Sequence, residues 1–357
     1  MEFSDSDDDY EELLKVVIFR RKKEIRERFN FFRLYDEKDF RERFRLCKDA
    51  AWEVLQLIRP DIQHATTWNN ALSPDHMLTI TLRFYATGSI QQLIGDVSGV
   101  STSTVSRVVT LVSDKIARLR ERFIRFPTTT EDIHQKQKEF FRIAKFPRVI
   151  GALDCTHVKI QSPGGDHAEL FRNRKNIFSF NVQTICDARL LILDIVARRP
   201  GSTHDATILR NSRIYARLEN GEFGDGLVLA DKGYENNKRI LTPLHSVNNA
   251  AERLYNESHI RSRNPIERSY GVWKRRFPVL SLGIRMNCTK VQSIIVATAV
   301  LQNICCLHRD TEAPPLDPEI DRRILSVLSI PNNRSSDRRT EKNVTRNNLI
   351  NGYFATL

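Results

Sequence analysis

The chain has 357 residues, 40% of them hydrophobic and 28% charged. That is enough apolar material for a sizeable core and two domains with extensions, which excludes wholesale disorder. No run of about 18 consecutive apolar residues occurs, and the acidic opening lacks the basic-then-apolar order of a secretory signal, so neither a membrane span nor export is expected. Lysine and arginine (56) outnumber aspartate and glutamate (44) for a net charge of +12, which points to a polyanionic partner, nucleic acid above all.

Residues 1–39 read as an extension. Ser4 to Glu12 is a like-charge block typical of a solvated tail, and phosphorylation of its serines would add charge. Arg20-Arg21-Lys22-Lys23 follows; a solvated helix face is the plain reading and a nuclear import signal the sharper one. From 40 to 146 apolar residues recur at three and four positions, most clearly over Asp75–Phe84 and Val105–Ile116, which predicts a helical domain. Pro60, Pro74 and Pro127 are expected to separate its helices.

Within that domain, residues 91–109 have the layout of a helix-turn-helix. Gly95 is small where two steeply crossed helices must touch, and Gly99 tolerates positive φ in the turn. Ile94, Val100, Val105 and Val108 fall inward, and Ser101 suits the N-cap of the second helix. Thr102, Ser103, Thr104, Ser106 and Arg107 are left outward, short polar groups able to reach phosphates and base edges. The plain alternative is a tight helical hairpin in a bundle.

After Pro147 the texture changes. Val149–Gln161 is a strand-like run, Phe178–Ala197 holds two more broken at Asp187-Ala188-Arg189, and Leu227–Ala230 is a short apolar strand. Helical patterns take over at Pro265–Phe277 and Lys290–His308. Residues 147–308 are therefore expected to form an α/β domain with a mixed sheet and flanking helices. Residues 309–357, rich in Pro, Asn, Arg and Ser, read as a loose polar tail with one short helix near Ile320–Leu328.

Four acids sit where a metal site would want them. Asp154 interrupts a buried strand, a costly position unless it is paired or bound to a cation. Asp231 follows the strand Leu227–Ala230, and ligands in open α/β sheets gather at such strand ends. Glu267 borders a helical core stripe of Ile266, Tyr270, Trp273 and Phe277, with Lys274 two turns on and Arg275 and Arg276 beside it, a basic face for phosphates. Asp205 lies at a plausible helix start. Taken singly, each has a plainer role as salt-bridge partner, turn residue, surface charge or helix cap. Taken together, acids from a strand, a strand end and a helix supply the several oxygen ligands that paired divalent cations need.

The segments Leu153-Asp154-Cys155-Thr156-His157, Pro200-Gly201-Ser202-Thr203-His204-Asp205-Ala206, Leu229-Ala230-Asp231-Lys232-Gly233-Tyr234 and Ile266-Glu267-Arg268-Ser269-Tyr270-Gly271 resemble the PIF/Harbinger family of DDE transposases, and most closely the harbinger transposase-derived nucleases of animals. Cys155 departs from the glycine that many relatives carry there. The resemblance runs from the helical domain to about His308. It implies an RNase H-like fold, Asp154, Asp231 and Glu267 as catalytic acids, and Asp205 in a site for Mg²⁺ or Mn²⁺. It further implies DNA as substrate, a Myb-like DNA-binding partner that aids recognition and nuclear import, and a nuclear protein with a cytoplasmic pool. A homo-oligomer is compatible with it. The expected function is DNA phosphodiester hydrolysis; the rival is a catalytically silent DNA-binding regulator on the same fold.

Other signals carry less. Cys155 and His157 flank Thr156, but no third group orients a thiolate–imidazole pair, so Cys155 reads as packing. His157 and His204 read first as structural hydrogen-bonding groups. Cys305 and Cys306 lie in an apolar helix, and with Cys47, Cys186 and Cys288 show no zinc-type spacing, as expected of reduced intracellular thiols. No GxxxxGK[ST] phosphate loop is present.

Overall fold

The computed structural model describes residues 28–64, 71–310, 312–315, 318–319, 322 and 343–357. The acidic block, the Arg20–Lys23 run and all but Arg322 of the helix expected near Ile320–Leu328 lie outside the described residues.

The first part is helical, as the periodicity requires: α1 (Glu37–Phe44), α2 (Lys48–Ile62), α3 (Pro74–Thr87), α4 (Gln91–Ser98), α5 (Thr102–Arg118) and α6 (Thr130–Ala144). Pro74 occupies the first turn of α3, where its missing N–H costs nothing. Pro60 does not separate helices. It sits inside α2, which ends two residues later at Ile62, so the ring disturbs only the final turn. Between α4 and α5, Gly99 takes φ 66° and Ser101 Oγ accepts from the Thr104 N–H at 3.3 Å. A Cβ on Gly95 would lie 2.6 Å from the Val100 carbonyl oxygen, so only glycine permits this approach. Ile94, Val105 and Val108 are buried beneath the pair.

A mixed five-stranded sheet follows: β1 (Val149–Lys159), β2 (Ser179–Cys186), β3 (Ile192–Pro200), β4 (Leu227–Leu229) and β5 (Ile240–Leu241), in the order β3-β2-β1-β4-β5. The β1–β2 and β2–β3 pairs are antiparallel; β1–β4 and β4–β5 are parallel. The β2–β3 turn forms at Asp187, whose Oδ1 accepts from the N–H groups of Arg189 (2.8 Å) and Leu191 (2.9 Å).

Helices cover both faces. Leu153, Cys155, Ile185 and Val228 pack with α7 (Asp205–Arg210) and α8 (Arg213–Glu219) on one side. Ala152, Val158, Val182 and Leu229 join the larger core on the other, with α9 (Ala250–Arg276) and α10 (Cys288–Leu307). That larger core is continuous across the 146/147 boundary, because α10 packs on both α5 and β3. By length and apolarity α10 meets the measure of a membrane span, yet its apolar side chains are mostly buried in this core.

Helix α9 begins well before the expected Pro265. Asn249 caps it by accepting from the Glu252 N–H at 2.9 Å, and Pro265 lies buried in its interior. The buried positions of its first half are Tyr255, Ser258, His259 and Ser262, too polar to read as an apolar stripe. The C-terminal residues are not a loose tail throughout. Leu349, Ile350 and Phe354 are buried, and the Phe354 ring lies 5.4 Å from Phe146 and 5.6 Å from Tyr255.

Candidate active site

Strand alternation sets the direction of Asp154. Its neighbours Leu153 and Cys155 point into the core beneath α7 and α8, so Asp154 faces α9. Tyr270 of α9 donates its hydroxyl to the Asp154 carbonyl at 2.7 Å and accepts from Thr184 Oγ1 at 2.9 Å. Thr184 is the β2 residue paired with Asp154. These bonds pin the helix across the two central strands.

The Asp154 carboxylate is 16% exposed. Its Oδ1 accepts from the Cys155 N–H at 2.8 Å, and its Oδ2 accepts from Arg263 Nη1 at 3.2 Å. Burial pushes its pKa up to about 7; Arg263 opposes that rise, while the Asp231 and Asp205 carboxylates add to it. Asp231 lies two residues past β4, the parallel neighbour of β1. Its Oδ1 accepts from the Gly233 N–H at 2.8 Å. Burial again raises its pKa, and Asp205 and Glu267 raise it further. Asp205 opens α7 and accepts from Asn181 Nδ2 of β2 at 2.7 Å. Glu267 projects from α9 with its side chain 56% exposed, and Arg263 Nη2 donates to its Oε1.

The four expected acids thus come from four elements; Asp231 and Asp205 act on Asp154, and Asp205 and Glu267 act on Asp231. Among the described residues, no three acid, His or Cys side chains form a ready metal cage; Arg263 lies between Asp154 and Glu267 instead. The donor set still suits a hard divalent cation, being carboxylate oxygen throughout. Arg263 is itself a stand-in cation bound to two of those carboxylates.

Residues 153–303 match the family described as DDE superfamily endonuclease. A rat protein named "Putative nuclease HARBI1" is 32% identical over 273 residues, 75% of this chain and 78% of its own. The chain belongs to the harbinger transposase-derived nuclease family. A Xenopus laevis protein of the same name is 28% identical, over 74% of this chain and 79% of its own. The Arabidopsis thaliana "Protein ALP1-like" is 22% identical, over 80% and 74% respectively. No solved structure matches the chain. The family match contains all four acids, whereas α4 and α5 lie upstream of it.

The expected basic face at the end of α9 needs correction. Lys274 is 1% exposed and donates from Nζ to the His157 carbonyl at 2.8 Å. Burial, with Lys175 nearby, brings its pKa down to about 7. Arg276 is 0% exposed; it donates to Asp310 Oδ2 at 2.9 Å, the Arg45 carbonyl at 2.7 Å and Gln302 Oε1 at 3.0 Å. Both cations are enclosed because the last turn of α9 lies between β1 and the chain that returns at Asp310. Arg275 is half-buried. At the start of α5, Thr102, Ser103 and Arg107 are exposed, while Thr104 is half-buried and shares a bond with the Ser101 cap at 2.9 Å.

Cys155 accepts from the Tyr234 hydroxyl at 3.2 Å, and burial raises its thiol well above the ordinary value, so it remains a protonated packing group. His157 bonds Ser179 Oγ through Nδ1 at 3.1 Å, and burial lowers its pKa to about 4. Exposed His204 contacts Arg174 Nη2 through Nδ1 at 2.8 Å. Sequence reasoning missed Arg263, Asn181 and the pinning role of Tyr270. Arg263 was legible in principle, since it lies four residues before Glu267 on one helix. A helix taken to start at Pro265 hides that spacing.

Proposed function

We propose that this chain is a divalent-metal-dependent DNA endonuclease of the DDE transposase type, hydrolysing DNA phosphodiester bonds. The observation that carries the reading is the electrostatic linkage of acids from β1, the end of β4, α7 and α9: burial, Asp231 and Asp205 raise Asp154 to about 7, and Asp205 and Glu267 act on Asp231. Asp154, Asp231 and Glu267 are the catalytic acids, and Asp205 is the fourth ligand. Mg²⁺ or Mn²⁺ held there would supply an activated water and stabilise the leaving 3′-oxygen. The carboxylates act as ligands, so no covalent protein–DNA intermediate forms. The released 3′-hydroxyl could itself attack a second strand, as in transposition.

The sheet flanked by helices supports an RNase H-like arrangement. The exposed polar start of α5 after a tight turn supports a helix-turn-helix that reads DNA through Thr102, Ser103, Thr104 and Arg107. Affinity should then fall steeply between about 50 and 200 mM salt. The family resemblance extends the reading to a nuclear protein with a cytoplasmic pool, helped by a Myb-like partner. Nuclear accumulation of the chain alone, in cells without such a partner, counts against that extension.

The deciding experiment is DNA cleavage by purified protein with Mg²⁺ or Mn²⁺, its arrest by EDTA, and its loss in Glu267→Gln with DNA affinity retained. One observation favours the rival silent regulator: Arg263 already pairs with both Asp154 and Glu267. That reading predicts DNA binding that survives loss of the acids and no cleavage with either metal.

A further inference from the structure

We propose that Arg263 is a resident counter-ion: it holds the cation position of the acid cluster in the metal-free protein and must leave for a divalent ion to enter, so it sets the metal affinity. The inference rests on the nuclease reading above. One guanidinium spans two carboxylates from different elements, through Nη1 to Asp154 Oδ2 at 3.2 Å and through Nη2 to Glu267 Oε1. Its charge also acts on Asp231. The side chain is only 17% exposed, so solvent screens this charge weakly.

The largely buried Asp154 and Asp231 carboxylates act on each other, with Asp205 acting on both and Glu267 on Asp231, so keeping them ionised calls for positive charge among them. Arg263 supplies one unit, and a divalent ion bound by the same oxygens would supply two. The two cations would need the same carboxylate oxygens and would repel each other across a few Å of poorly screened space. Their occupancies are therefore linked, and each lowers the affinity of the site for the other.

A purely structural role for Arg263, clamping α9 to the sheet, is already filled by other groups. Tyr270 bonds the Asp154 carbonyl and Thr184, and Lys274 bonds the His157 carbonyl. Removing Arg263 leaves those three bonds intact. What it does remove is the positive charge between the acids.

The test is Mn²⁺ binding to the full chain without DNA, read by electron paramagnetic resonance and calorimetry, for wild type, Arg263→Gln and Arg263→Lys. Arg263→Gln is expected to bind Mn²⁺ tighter than wild type, on the order of tenfold. Arg263→Lys keeps the positive charge but loses the planar fork that spans the two acids, so it should fall between them. Equal or weaker binding by Arg263→Gln, with wild type binding well, overturns the inference and leaves the nuclease reading standing. Binding by neither protein overturns both. Failure of Arg263→Gln to fold also overturns it, since α9 would then depend on the pairs that the inference treats as dispensable.

Discussion

Replacing Lys274 by methionine should stabilise the protein at about pH 6 and remove part of its gain in stability on the alkaline side. The amine lies between β1 and α9 and is 1% exposed. Burial lowers its pKa from 10.5 to about 7, with the nearby Lys175 charge contributing. At about 1.4 kcal/mol per pH unit, that gap sets the penalty on the charged amine on the order of 5 kcal/mol. The sign follows from proton counting. Between about 7 and 10.5 the unfolded chain holds this proton and the folded chain does not, so folding gains stability as pH rises through that window. The gain is complete above the unfolded value and is lost as pH falls through the folded one. Methionine fills similar volume but leaves the His157 carbonyl without this donor, a loss of about 1–3 kcal/mol. The net expectation is a variant roughly 2–4 kcal/mol more stable at about pH 6, with the advantage shrinking and reversing by about pH 10. Urea denaturation of both proteins across that range reads the difference directly, because groups common to both cancel. Parallel stability curves, with no pH-dependent difference, would refute the reasoning. So would a steep loss of DNA affinity in well-folded variant, since a buried amine cannot contact phosphate.

Other consequences follow from packing. Arg276→Ala should destabilise the fold by about 3 kcal/mol in chemical denaturation, because it strips one of two cations from Asp310, itself only 7% exposed, and leaves Arg41 as the other. A loss under about 1 kcal/mol would show that Arg41 alone compensates Asp310. Gly95→Ala forces a Cβ to 2.6 Å from the Val100 carbonyl oxygen, and the overpacking should cost about 1–3 kcal/mol in urea despite alanine's better helix propensity; a stabilised variant would mean the two helices cross less closely. Phe354→Ala removes a buried ring packed on Phe146 and Tyr255, for an expected loss of about 3–5 kcal/mol. Hydrogen exchange at the start of α9 and the end of α6 should accelerate in that variant, and unchanged exchange would argue against the docking of residues 343–357.

Much of the architecture is written locally. The first strand is legible as an apolar run because both faces of the sheet are covered, and the second through its alternation of Phe180 and Val182 with polar residues. Asp187 is legible as a turn because its carboxylate caps nearby backbone N–H groups. The α4–α5 junction is readable from Gly95, Gly99 and Ser101, residues whose backbone and capping preferences act over a few positions. Asp154 stands out because a charge in a buried strand demands a partner. Strand β5 was not legible, since two residues carry no periodicity. The early start of α9 was hidden by small and polar buried residues, and by a proline that resembles a helix start.

The sequence by itself therefore determined the elements with a clear period and the close helical junction, consequences of short-range sterics, and it pointed to the four acids through their placement and the family resemblance. Only the tertiary structure decided which way the cations face. Lys274 and Arg276 sit on a helix end that would be solvated in isolation, and charged side chains default to water. They turn inward because β1 lies against one and the returning chain at Asp310 against the other. Arg263 likewise acquires its meaning from Asp154, a residue 109 positions away in the chain. Local preference cannot encode such a pairing, because its energy comes from burial and charge that exist only once the sheet and the long helix have met.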